Sequence, residues 1–279
     1  VMVGTDISIS HIGKILNIPS LVFNEDDYEI NKLFCKATYP FATKIISPMG
    51  CSVGKYGSKK IENDGYQIIA YLHQNYIVPD NQVLKKLKLD RERYFIIRVV
   101  NLKAIHDIEG KHSGISIDVL EKIIKKLEKK GKVFINSEGD SLKEFESYFL
   151  DIEPNEMHSV LAYSDLFIGD SQTMAAEAGL VGTPFIRFND FVGKISYLND
   201  IENKYKLGFG VKTENIDKLF DLIDSILSNG SVKEEWINKR NIFFNDKINV
   251  TDFWTWLIEN YPQSTETIKE DPDFQLKFK

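Results

Sequence analysis

The sequence predicts an α/β fold built on parallel sheets, on three observations. Apolar runs of strand length recur along the chain, segments of helical period lie between several of them, and an apolar fraction of 43% over 279 residues suffices for the cores of two ordinary domains. Strands that alternate with helices imply parallel βαβ units. No internal repeat is visible.

The opening "VMVGTDISISHIGKIL" reads as a buried strand at 1–3 running into a turn and a helix. That is mid-domain material, and it predicts that the first domain is truncated at its start. Further strands are expected at 20–23 and 43–46. Residues 54–80 are polar, rich in Tyr and Lys and weakly periodic, and they are read as the junction between domains. After Pro79 a helix at 81–87 leads to a strand at 94–100. Leu120, Ile123, Ile124 and Leu127 follow i, i+3, i+4, i+7 spacing, which predicts an amphipathic helix. Strands at 132–135, 166–168 and 184–188 complete the second domain, and Asn229-Gly230 is a helix stop. Helices at 232–244 and 251–261 follow. The rings of Phe253, Trp254 and Trp256 sit at helical spacing and are expected to pack as core. The predicted sections are 1–80 as the later part of an incomplete, acceptor-side domain, 81–230 as the second domain, 231–261 as helices packing back on both, and 262–279 as a polar, loosely held tail.

A net charge of −6 advertises no surface able to track a nucleic-acid backbone. Lys125, Lys126, Lys129 and Lys130 are expected on the wet face of their helix. Cys35 and Cys51 lack CxxC spacing and suggest neither a disulfide framework nor a zinc site, which fits a reducing cytoplasm. No apolar stretch approaches the roughly 20 residues needed to cross a bilayer, and the opening residues do not read as a signal peptide. Peripheral membrane contact and a homodimer are compatible with this composition.

The stretch "FIGDSQTMAAEAGLVGTPFIRF" (167–188) carries the chemistry. If 166–168 is a parallel strand and 173–180 the helix after it, then Gly169, Asp170, Ser171 and Gln172 form the loop at the strand's carboxyl end, where open α/β sheets bind ligands. Unpaired N–H groups and partial positive charge at a helix start suit a phosphate, and Ser171 and Thr173 add hydroxyls. Glu177 lies four residues past Thr173 on the same face, where a carboxylate can accept hydrogen bonds from ribose hydroxyls. N-capping and the helix dipole account for part of the pattern without any ligand. The small residues Ala175, Ala176, Ala178 and Gly179 favour the functional reading, because they let the helix lie close on the sheet.

"EPNEMHSVLAYSDLFIGDSQTMAAEAGLVGTPFIRF", "YLHQNYIVPD", "AIHD" and "ENKYKLGFG" resemble an uncharacterised GT-B-like family, domain of unknown function 354. That family is related to the non-hydrolysing UDP-N-acetylglucosamine 2-epimerases and to nucleotide-sugar glycosyltransferases. The resemblance spans most of residues 1–260 and implies two Rossmann-like parallel-sheet domains facing a cleft. It implies a nucleoside-diphosphate sugar, UDP-linked, as substrate, with an unknown acceptor, no cofactor and no metal. Carried over by residue, it places Ser171 and Thr173 at the diphosphate and Glu177 at the ribose, with Asp170 and Gln172 of the same loop counted among the nucleotide-binding residues. The loop in "RVVNLKAIHD" then brings Arg98, His106 and Asp107 to the departing phosphate. For Arg98 the alternative is an ion pair bracing the strand end, and for His106 and Asp107 an ordinary turn. Glu138 in "INSEGDS" follows another strand end, where turn chemistry is equally at home. His158 is read as a packed or capping histidine.

Two departures weigh against the epimerases. Gln172-Thr173 stand where those enzymes carry two glycines. Their "HVEAGLR" segment corresponds here to "LVFNEDDYEI", which keeps acids at Glu25, Asp26 and Asp27. One of these, with Asp26 taken as the candidate, is the group expected to help the acceptor hydroxyl. The expected activity is glycosyl transfer in surface polysaccharide or glycoconjugate assembly. The alternatives are NDP-sugar 2-epimerisation and non-catalytic nucleotide-sugar binding.

Overall fold

The computed structural model describes residues 1–89, 92–100, 114–137 and 142–279. The chain divides into two compact units, one of Val1–His73, Lys194–Tyr197 and Phe244–Lys279, the other of Gln74–Gly193 and Leu198–Phe243. Each is built on a sheet whose strands are all parallel, as the alternation of strands and helices predicts.

In the first unit β1 (Met2–Gly4), β2 (Ser20–Phe23), β3 (Lys44–Pro48) and β4 (Lys60–Asn63) lie side by side in chain order. Helices α1 (Ile7–Leu16), α2 (Lys32–Thr38) and α3 (Ile69–Leu72) connect or follow them. Asp6 caps α1 by accepting the Ser8 N–H at 2.8 Å, and Asn17 ends it in the left-handed conformation, φ 53°. Strand β4 falls inside the stretch read as a junction. Its alternation, with Ile61 and Asn63 buried and Lys60 and Glu62 outward-facing or less buried, is only four residues long and sits in polar surroundings. That brevity hides it in the sequence.

The second unit holds α4 (Gln82–Lys86), β5 (Tyr94–Val99), α5 (Ile117–Leu127), β6 (Lys132–Ser137), α6 (Met157–Tyr163), β7 (Leu166–Gly169), α7 (Gln172–Leu180) and β8 (Phe185–Phe188). A short helix α8 (Ser196–Asn199) crosses the limit between the units, and β9 (Gly208–Val211), α9 (Ile216–Ser228) and α10 (Val232–Asp246) follow. The sheet order is β6-β5-β7-β8-β9. Strands β7 and β8 are buried at every residue, the mark of parallel strands covered on both faces. The predicted stripe Leu120, Ile123, Ile124 and Leu127 of α5 packs into the main core with Ile223 and Ile226 of α9 and Trp236 of α10. Lys125, Lys129 and Lys130 are exposed as expected, while Lys126 pairs with Asp224 at 2.6 Å. Strand β9 escapes a sequence reading because it carries Gly208 and Gly210. A Cβ on Gly208 would stand 2.4 Å from the Phe185 ring, so the aromatic of β8 occupies the place of a side chain.

The last residues are folded, which corrects the expectation of a loosely held tail. After α11 (Val250–Glu259) the chain forms α12 (Gln263–Glu270) and a 3-10 segment, Pro272–Phe278. Trp256 stacks on Phe274 with centroids 4.7 Å apart and lies 5.6 Å from Phe278. Asp64 N–H donates to Gln275 Oε1 at 2.7 Å, and Asn249 N–H to the Phe278 carbonyl at 2.7 Å. Two aromatic rings on a polar segment are the signal that the tail returns to the first unit. Of the three rings expected in the core, Phe253 is fully buried, while Trp254 and Trp256 are half-buried. Among the described residues no helix is long and apolar enough to cross a membrane.

Candidate functional site

Strand order locates the site. From β5 the chain goes through α5 to β6 on one side; from β7 it goes through α7 to β8 on the other. The strand order thus reverses between β5 and β7, and such a switch point is where open parallel sheets form a ligand crevice at their carboxyl ends. The first sheet runs in simple chain order and has no such point among its described strands.

Helix α7 begins at this place. Ser171 is its N-cap and accepts the Met174 N–H through Oγ at 3.3 Å, which leaves the hydroxyl hydrogen free to donate. Gln172 and Thr173 are the first two helical residues, Gln172 half-buried and Thr173 exposed. The helix lies close on the sheet because its inner face is small. Ala175, Ala176 and Ala178 are fully buried, and a Cβ on Gly179 would meet Phe185 Cε1 at 2.9 Å and Leu207 Cβ at 3.1 Å. The sequence expectation for these small residues holds.

Glu177 is mostly covered, its side chain 13% exposed, and it does not run into open water. Its Oε2 lies 3.6 Å from Nε2 of His158, at the start of α6. The partnership with His158 was missed by sequence reasoning, which treated that histidine as a packing or capping group. The histidine falls on α6, 19 positions upstream, and no local spacing links the two.

Asp170 takes a different place from the one expected. It is buried, and its carboxylate is a clamp: Oδ1 accepts the Val100 N–H at 2.8 Å and Oδ2 the Ile115 N–H at 3.2 Å. Burial raises its pKa to about 6, against the pull of those two N–H groups and of the Arg98 charge. A Cβ on Gly114 would stand 2.4 Å from Oδ2, so the residue before Ile115 has to be glycine. Asp170 thus fixes the backbone on both sides of residues 101–113. A second brace comes from behind. Asn189 Nδ2 donates to the Asp170 carbonyl at 2.7 Å, its Oδ1 accepts from Arg187 at 3.2 Å, and Arg187 Nε donates to Glu202 at 2.7 Å. Arg187 is fully buried, and Glu202 nearly so. Neither Arg187 nor Asn189 stood out in the sequence, where "IRFND" reads as a strand end.

Arg98, at the end of β5, pairs in register with Asn136 of β6 and Gly169 of β7, and its guanidinium donates to Asn136 Oδ1. The alternative weighed for this residue was an ion pair, whereas Asn136 offers a neutral amide. Gly169 lets the strands close, since a Cβ there would come within 2.9 Å of Arg98. His106, Asp107 and Glu138 lie outside the described residues.

Asp26 belongs to the first unit, at the carboxyl end of β2. It receives the Asn31 side-chain amide at 3.5 Å, while Asn24 Nδ2 donates to its carbonyl at 3.1 Å. Asp27 is buried and takes three hydrogen bonds, from Ser52 N–H at 2.8 Å, Ser196 N–H at 2.8 Å and Ser196 O–H at 2.9 Å. Glu25 is half-buried, accepts the Gln67 N–H at 2.6 Å, and has its pKa raised to about 7 by desolvation. Among the described residues no three His, Cys, Asp or Glu converge as a metal site would require.

Solved structures resemble this chain in fold. UDP-GlcNAc 2-epimerase from Methanocaldococcus jannaschii is 13% identical with a TM-score of 0.57, covering 82% of this chain and 70% of its own. The Staphylococcus aureus MnaA–UDP structure gives 10% identity, TM-score 0.60, and 99% and 76% coverage. Anabaena Alr3699/HepE, in complex with UDP and glucose, gives 15%, 0.59, and 90% and 74%. These likenesses show the GT-B-like class of two parallel-sheet units. No curated protein sequence matches. A family profile does, over residues 4–229, so the chain belongs to the family described as Protein of unknown function (DUF354).

Proposed function

We propose that this protein binds a nucleoside-diphosphate sugar, UDP-linked, at the start of α7 and transfers the sugar to an acceptor in surface polysaccharide or glycoconjugate assembly. One observation carries the reading: a capped helix N-terminus at the sheet's switch point, with a shielded carboxylate one to two turns along the same helix. The free N–H groups of the first turn suit a diphosphate. Glu177 accepts the two ribose hydroxyls, and the Ser171 and Thr173 hydroxyls donate to phosphate oxygens. Asp170 is reassigned from a ligand to a positioning residue that fixes this loop. Arg98 supplies a positive charge beside it. Structural relatives whose descriptions record bound UDP support the choice of nucleotide.

Titration calorimetry with UDP tests this. Wild type is expected to bind, and Glu177→Ala to lose roughly 10-fold or more, as for hydrogen bonds to a charged group worth about 1.5–3 kcal/mol. Equal affinity of the two proteins would show the assignment of Glu177 to be wrong.

The likeness to UDP-GlcNAc 2-epimerase favours a second reading, NDP-sugar 2-epimerisation. Incubation with UDP-N-acetylglucosamine alone separates the two. Interconversion without an acceptor supports the epimerase, whereas UDP release that depends on an added acceptor supports transfer.

A further inference from the structure

Helix α6 carries His158 against Glu177, and the far end of that helix is fastened. Tyr94 Oη of β5 donates to the Val160 carbonyl at 2.6 Å, and Thr183 Oγ1, just before β8, donates to the Leu161 carbonyl at 2.6 Å. Lys233 Nζ of α10 donates to the Ala162 and Ser164 carbonyls at 2.5 and 3.2 Å. These acceptors lie in the last turn of α6 and at its cap, where a helix leaves its carbonyls without partners of its own. At the near end the Asp80 N–H donates to Ser159 Oγ at 3.0 Å, one residue from His158. The histidine therefore stands on a helix tied at both ends, and all of these ties lie within the second unit.

A glutamate alone is a poor gauge of a diol. Its terminal torsion is broad and two-fold, and that freedom is lost when the carboxylate binds two hydroxyls at once. A donor placed at one oxygen sets the torsion beforehand. Nε2 of His158 lies 3.6 Å from Glu177 Oε2, the reach of an ion pair, and with a proton on Nε2 the ring is a donor toward that oxygen whether neutral or charged. Each carboxylate oxygen can accept about two hydrogen bonds, so a donor on Oε2 does not use up its place for a hydroxyl. The two side chains are only 28% and 13% exposed, which limits the water that could compete for the carboxylate.

We propose that His158 is a positioning residue that turns the Glu177 carboxylate to meet both ribose hydroxyls, and that the pair makes the site selective for ribonucleotides over 2′-deoxyribonucleotides. This rests on the nucleotide-sugar reading above. A site built to bond a hydroxyl rejects the analogue that lacks it, because a shielded acceptor is then left without its donor. The rejection is sharp when the acceptor cannot swing to another partner, and a histidine on a fixed helix removes that latitude.

Titration calorimetry of the full chain with UDP and 2′-deoxy-UDP tests this. Wild type should prefer UDP by about 10-fold or more. His158→Ala should narrow the preference to about threefold or less through weaker UDP binding, with 2′-deoxy-UDP affinity within about twofold of wild type. His158→Gln, whose amide nitrogen can stand in for Nε2, should keep the preference within about twofold of wild type. Adding His158→Ala to Glu177→Ala should change UDP affinity by no more than about twofold, since the histidine acts through the carboxylate. An unchanged preference in His158→Ala would overturn the proposal, as would additive losses in the double variant or a His158→Gln protein as unselective as His158→Ala. So would an equal loss of both nucleotides in His158→Ala, which a merely structural tie between the helices predicts. A wild type that binds no UDP, or that binds the two nucleotides alike, would instead overturn the nucleotide-sugar reading of α7, and this inference with it.

Discussion

Asp170 shows how a single side chain can look like a ligand and act as a fastener. Its place in "GDS", ahead of a helix, puts it among the nucleotide-binding residues the sequence predicts. Burial and two long-range partners, the amides of Val100 and Ile115, decide the matter, and neither is visible from local spacing. The raised pKa has a definite consequence for stability. An ordinary aspartate titrates near 3.8, and this one near 6, so between those values the folded state holds more protons than the unfolded one. The Asp170 contribution is therefore largest at low pH and is lost as pH rises from about 4 to 6. Asp170→Asn should remove that slope from the urea stability of the second unit. It should also cost about 1–3 kcal/mol at pH 7, because the amide offers one acceptor to two buried N–H groups. An unchanged slope between pH 4 and 6 would show that another group titrates there. The Ser171 cap, by contrast, is readable in the sequence, since capping is a property of the local chain. The His158 contact is not, because it joins two helices.

At the scale of elements, α7 explains why an apolar helix keeps one acid. Its inner face is reduced to Ala and Gly so that the backbone can approach β8, and the start of the helix is thereby held over the switch point. Gly179 is the tightest of these contacts. Alanine has the better helix propensity by about 1 kcal/mol, but here the added methyl would press on a Phe185 ring that is itself backed by Gly208. The ring has nowhere to retreat. Overpacking of this kind costs typically 1–3 kcal/mol, so Gly179→Ala should be net destabilising by roughly 1 kcal/mol. Denaturant midpoints of the two proteins decide it, and a Gly179→Ala protein more stable than wild type would show that the helix does not need this closeness. The longer apolar runs, β5, β7 and β8, and the amphipathic α5 were legible because they are buried on a regular period. Strands β4 and β9 were not, one being short and polar-flanked, the other glycine-bearing to make room for a neighbour's ring.

For the whole molecule, alternation of strand and helix is enough to reach the α/β class and parallel sheets, and the observed topology adds what patterning cannot, the order β6-β5-β7-β8-β9. That order singles out the second sheet as the one with a switch point. Unit membership is likewise hidden in the sequence. Residues 244–279 belong with the first unit, and the Asp64–Gln275 hydrogen bond that ties them to it spans 211 positions of chain. No local rule reports a contact at such distance. The central claim remains local to α7, and the most direct measurement is a crystal structure of the protein with UDP. The account predicts diphosphate oxygens on the amides of Gln172 and Thr173 and on the Ser171 hydroxyl, and the ribose hydroxyls on the Glu177 carboxylate. UDP bound away from the start of α7, or a Glu177 that stays on His158 without touching the nucleotide, would contradict it.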